Sequence, residues 1–207
     1  MTKSMKIGAA VVGGLILAGA AFVLGNSSVD SPKKPAAGQA TATTVPQSPA
    51  SSASLVEFRD ENVGWTISYP KAWNRLEAKD TDVALVVSEK PVEQNSGGSI
   101  LARNLTLGAP VNDANLAAAK EVTDRIVTGD GIEHITQPQV LHQAGLPGYF
   151  YFYRFKDSAS GQVGVHSHYF LFKGSTMISF VFQALPDADF QRLATLYDQV
   201  IASFRAV

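Results

Sequence analysis

The chain has 207 residues, a net charge of −1 and a pI near 6.4, a balance that leaves no electrostatic footprint for nucleic acid. It contains no cysteine, which excludes disulfides, thiolate nucleophiles, thiolate metal sites and a lipoprotein anchor. Zero cysteine suits an exported chain, because no thiol can mispair in an oxidising compartment.

Lys3 and Lys6 precede an uncharged run of 18 residues, Ile7 to Leu24, IGAAVVGGLILAGAAFVL. That length is at the lower edge of what a helix needs to cross a bilayer. The lysines on its N-terminal side predict the N-terminus inside and the rest outside. Two readings stay open. Residues 1–25 form an uncleaved signal anchor, with the membrane engaged through 7–24, or a signal peptide cut after Ala18-Gly19-Ala20. Both put the bulk of the chain outside the cytoplasm. Residues 26–53 have no aromatic side chain and hold Pro32, Pro35, Pro46 and Pro49. Such a stretch cannot bury enough apolar surface to fold and reads as a disordered stalk, with an r.m.s. span of roughly 30 Å.

Folding periods begin at Ser54. Gly64 to Tyr69 alternates, with Trp65, Ile67 and Tyr69 on one face, and Pro70 stops the strand. Asp82 to Ser88 is a short apolar strand. Ile100 to Leu107 alternates, with Leu101, Arg103, Leu105 and Leu107 on one side. A helix capped by Asn115 follows, with Leu116, Ala119, Val122 and Ile126 at helical spacing, ended by Gly129 and Gly131. Glu133 to His142 reads as an edge or bulged strand because of Pro138. Gly148 to Lys156, Val163 to Lys173 and Thr176 to Ala184 are strong strands, the last two joined by a hairpin at Lys173-Gly174-Ser175. They hold 11 of the 19 aromatic residues, and apolar residues on both strand faces call for cover on both sides. The final helix starts at Pro186-Asp187, with Asp187 as its cap. Phe190, Leu193, Leu196 or Tyr197, Val200, Ile201 and Phe204 form its stripe. This order predicts an α+β domain over residues 54–207 with a central antiparallel sheet.

Phe58 with Gly64-Trp65-Thr66-Ile67-Ser68-Tyr69-Pro70-Lys71-Ala72-Trp73 resembles the opening of PsbP-like domains. The aromatic strand after Leu146-Pro147-Gly148, the hairpin through Lys173-Gly174-Ser175 and the closing Ala202-Ser203-Phe204 resemble the same family. The resemblance implies an α-β-α sandwich. It groups the chain with the lumenal photosystem II subunit, the Ran-binding Mog proteins and LpqN-type actinobacterial envelope proteins, the last being closest in layout. Members of that group are usually lipid-anchored, and a chain without cysteine departs from them there. The family has no shared catalytic constellation, and none is carried over.

His166 and His168, two apart on a strand, point the same way. A metal would need a third ligand from His134, His142 or a carboxylate, and no spacing brings one near. No metal site and no cofactor is expected. No G-x-S-x-G elbow, phosphate loop or calcium loop is present. Arg103 and Arg154 interrupt apolar strands and call for carboxylate partners or a cavity. With His166 and His168 they are the candidate ligand-binding residues. The expected function is a non-catalytic binding or scaffold protein of the cell envelope acting on a protein partner. The alternative is a lipid or glycolipid carrier with an apolar pocket under the aromatic strands.

Overall fold

The computed structural model describes residues 53–91, 94 and 96–207. The leader of residues 1–25 and nearly all of the stalk lie outside the described residues. Among the described residues no helix is long and apolar enough to cross a membrane.

Alternating apolar side chains build two antiparallel sheets. The smaller has the order β1 (Leu55–Asp60), β2 (Trp65–Pro70), β10 (Arg205–Ala206). The larger runs β3 (Asn74–Arg75), β4 (Val83–Ser88), β5 (Gly97–Val111), β9 (Val163–Leu185), β8 (Leu146–Lys156), β6 (Glu133–His134), with β7 (Gln139–Gln143) also paired to β8. The interruption at 135–138 falls where Pro138 removes a ladder donor, so the single strand expected from 133 to 142 is two short ones.

The ladder of β9 continues through Lys173-Gly174-Ser175, so the two expected strands are one unbroken element that folds back on itself. Gly174 supplies the reversal with φ of 57°. A methyl group placed on Gly164 would lie 3.0 Å from the Ala184 carbonyl oxygen. At about 3.3 Å per residue, a straight strand would hold those residues tens of ångströms apart. The first arm pairs with β8 and the second with β5.

Two helices cover opposite faces of the large sheet. α2 (Phe190–Ala202) buries Leu193, Tyr197, Val200 and Ile201 against Ile100, Phe180 and Phe182. Each large side chain so buried contributes about 1.5 to 3 kcal/mol. Trp65 joins this core fully buried, in contact with Phe58, Phe180 and Phe204. Its indole nitrogen donates to Asn104 Oδ1 at 3.1 Å, and Asn104 Nδ2 donates to Asp60 Oδ2 at 2.6 Å, which ties the small sheet to the large one.

α1 (Leu116–Ile126) forms the second core with Tyr149, Tyr151, Tyr153, Phe170, Phe172 and Met177. Its buried stripe is Leu116, Ala119 and Thr123, continued by Val127 just past its end, whereas Val122 and Ile126 are exposed. The rotation from the expected stripe has a polar cause. Thr123 Oγ1 lies 2.7 Å from the Tyr151 hydroxyl, so the helix turns a hydroxyl inward. Asn115 precedes α1 without capping it, because its Oδ1 accepts the Asn112 N–H. Asp187 does not cap α2 either. It starts a short 3-10 turn, Asp187–Asp189, and its carboxylate meets Arg154.

Candidate functional site

Strand alternation puts Ser99, Leu101, Arg103 and Leu105 of β5 on the α1 face, opposite Gln183, Val181, Ser179 and Met177 of β9. Val86 and Ser88 of β4 extend that face beyond Leu101 and Ser99. His166 and His168 extend it the other way, opposite Tyr153 and Tyr151 of β8. The buried residues of α1 pack at Tyr149, Tyr151, Phe170 and Phe172. Val86, Leu101 and Val181 belong to neither core cluster and remain partly exposed. Among the described residues the α1 face is therefore half covered, and its open half has an apolar floor.

A chain of polar groups borders this floor. Ser179 Oγ lies 2.7 Å from His168 Nε2, and His168 Nδ1 lies 3.2 Å from the Tyr153 hydroxyl. That hydroxyl is 3.1 Å from His166 Nδ1, and His166 Nε2 is 2.9 Å from Gln183 Oε1. The Gln183 oxygen fixes the direction of the whole chain. His166 donates to Gln183, Tyr153 to His166, His168 to Tyr153 and Ser179 to His168, with both imidazoles neutral. Burial lowers the His166 pKa to about 4, opposed by its bond to Gln183. Burial first, and then the neighbouring His166, hold His168 well below its ordinary value. Each polar atom is satisfied by a neutral neighbour, so the row positions side chains and offers no charged acid or base.

Three of the four candidate residues come together here. Arg103 Nη1 meets Asp82 Oδ2 at 2.9 Å and its Nη2 meets Asp80 Oδ2 at 3.6 Å, at the edge of the open floor. Arg154 lies on the opposite face of β8, with Asp187 at 3.4 Å and Glu133 at 3.7 Å. The other histidines do not complete a metal site. His134 rests beside the rings of Tyr151 and Tyr153, and His142 bonds Asp113 at 2.6 Å. Among the described residues, no three His, Cys, Asp or Glu side chains converge. Tyr153, Ser179 and Gln183 escape sequence reasoning, because only the register of β8 against β9 places them beside the histidines.

The space beneath the aromatic strands is filled by side chains of α1 and α2. A separate shallow groove of about 330 Å³ lies where the Tyr69-Pro70 … Trp73 motif turns, lined by Ala53, Ser54, Pro70, Lys71, Ala72, Trp73 and Leu196. The Trp73 ring stands edge-on to Tyr197, so this tryptophan packs against α2 while bordering the groove.

No family model and no curated protein matches the sequence. Solved structures do match. The domain is similar to cyanobacterial PsbP from Synechocystis sp. PCC 6803, at 19% identity and a TM-score of 0.57, covering 77% of this chain and 96% of that one. It is similar to LpqN of Mycobacterium tuberculosis, described as involved in cell envelope biogenesis, at 11% identity and a TM-score of 0.54, covering 73% of this chain and 90% of that one. The Ran-binding protein Mog1p of Saccharomyces cerevisiae matches with a TM-score of 0.47 and 14% identity over 75% of this chain and 97% of that one. The fold is PsbP-like, as the resemblance around Tyr69-Pro70 and Trp73 implies.

Proposed function

We propose that this domain is a non-catalytic binding module of the cell envelope, tethered to the membrane through residues 7–24 and docking a protein partner on the open half of its α1 face. The carrying observation is that face: Val86, Leu101 and Val181 stay partly exposed, in neither core cluster, beside a row of neutral, mutually satisfied polar groups. A sheet floor of this kind suits a complementary protein surface. An acyl chain needs an enclosed cavity, and the space under the aromatic strands is occupied by side chains. The fold likeness to an envelope protein supports the location. So does the basic-then-apolar leader. A tether confines the domain to a thin layer and raises its effective concentration toward other residents of that layer.

The test is photocrosslinking in native membranes, with a crosslinking side chain at Val181 and a control at Glu57 on β1. The expected result is a discrete protein adduct from position 181 alone, lost in Leu101→Glu while the melting temperature stays within a few degrees. Lipid adducts, or identical patterns from both positions, would overturn the reading.

A further inference from the structure

We propose that β7 is a self-association edge, on which a second copy of this chain adds its own β7 antiparallel about Leu141. The hairpin between β7 and β8 closes through Ala144 and Gly145, with φ of 50° and 80°. A two-residue turn makes Gln143 and Leu146 a hydrogen-bonded pair, so Gln139, Leu141 and Gln143 spend their backbone groups on β8. The N–H and C=O of Val140 and His142 then point outward. Among the described residues no backbone or side-chain group takes them up. Val140 is 61% exposed.

Other edges of this protein are guarded against pairing. β1 carries Glu57 and Arg59, while β3 and β6 have two residues each and bear Arg75 and Glu133. Charge and shortness are how edge strands avoid each other. β7, Gln-Val-Leu-His-Gln, has neither lysine nor arginine, and its imidazole is engaged by Asp113.

The occupant follows from the sequence of the strand. Read about Leu141, the segment is nearly its own reverse. Antiparallel pairing of two copies sets Gln139 against Gln143 and Val140 against His142, with Leu141 on the two-fold axis. No like charges oppose one another, and the outward groups of Val140 meet those of His142 in the other copy. A two-fold contact needs this kind of self-complementary patch.

The absence of cysteine makes the test specific. Leu141 would sit at a non-hydrogen-bonded pair on the axis, where Cα atoms are about 4.5 Å apart, within reach of a disulfide. The full chain in detergent, carrying Leu141→Cys, is oxidised and compared with Val140→Cys, whose counterpart in the second copy is off the axis. At least a tenfold excess of linked dimer for Leu141→Cys is expected. Equal yields, or no dimer from either, overturn the proposal. Leu141 packs partly against the α2 core, so a second readout avoids substituting it. Sedimentation velocity of the unsubstituted chain should show concentration-dependent dimer that Val140→Lys abolishes, and identical profiles for the two would overturn the proposal equally.

Discussion

The Lys173 ammonium donates to the Val63 carbonyl oxygen at 2.8 Å. The same nitrogen reaches the carbonyl oxygen of Gly64 at 2.7 Å and the main-chain oxygen of Val207 at 2.6 Å. The tip of the β9 hairpin thus pins the β1–β2 turn and the strand that follows α2. Hydrogen bonds from a charged donor are worth about 1.5 to 3 kcal/mol. Lys173→Met keeps most of the apolar stem and removes the donor. It should lower unfolding free energy by about 2 kcal/mol, and denaturant titration would read that as a lower midpoint at unchanged slope.

Stability should fall between pH 6.5 and 4. The folded domain holds His166 and His168 neutral, whereas in the unfolded chain each takes a proton near 6.5. The unfolded state then binds more protons as pH drops below 6.5, so the full contribution is present above that pH and is lost toward 4. Each histidine adds a slope of up to about 1.4 kcal/mol per pH unit. The carboxylates of Glu89 and Asp124, lowered from 4.5 and 3.8, lose their contribution further into acid, so melting curves between pH 7 and 5 isolate the histidines. His166→Gln should flatten that slope, and an unchanged slope would contradict the neutral chain described above.

Ala144 holds a left-handed backbone, with φ of 50°. An L-residue other than asparagine or aspartate is strained there by about 1 to 2 kcal/mol. Ala144→Asn creates Asn-Gly, the preferred pair for this hairpin turn. A gain of about 0.5 to 1 kcal/mol is expected in thermal unfolding, with no change in chemical shifts beyond the hairpin.

Gly98 packs under the Trp73 ring. A methyl group there would fall 2.6 Å from Trp73 Cη2 and 2.9 Å from the Tyr197 hydroxyl. Gly98→Ala should cost about 1 to 3 kcal/mol by overpacking. Trp73→Ala removes the closer of the two contacts and leaves the one to Tyr197, so Gly98→Ala should cost less in the Trp73→Ala background than in the unsubstituted chain.

Elements with an unbroken side-chain period are readable from the sequence. The stripe of α2 is buried as its spacing implies, at Leu193, Tyr197, Val200, Ile201 and Phe204. The aromatic strands also stand where alternation puts them. β1, β3 and β10 leave no comparable signal, because they are short or polar and exist through pairing with β2 and β4. Periodicity fails for α1 as well, since a hydropathy pattern cannot foresee that the Tyr151 hydroxyl draws Thr123 inward. The candidate site divides the same way. Residues two apart on one strand, such as His166 and His168, must share a face, and they do. Separating Arg103 from Arg154 required knowing which faces β5 and β8 present to α1, and that information resides in the register.

The pairing of β10 with β2 joins Arg205 to Thr66 and Ala206 to Trp65 across nearly the whole domain. A chain made N-terminus first can close its β8–β9 meander early, since those partners are near neighbours along the backbone. The third strand of the small sheet has to wait until Arg205 and Ala206 have emerged. Until then one edge of β2 stays bare beside the indole of Trp65, and the nascent domain carries an unsealed seam.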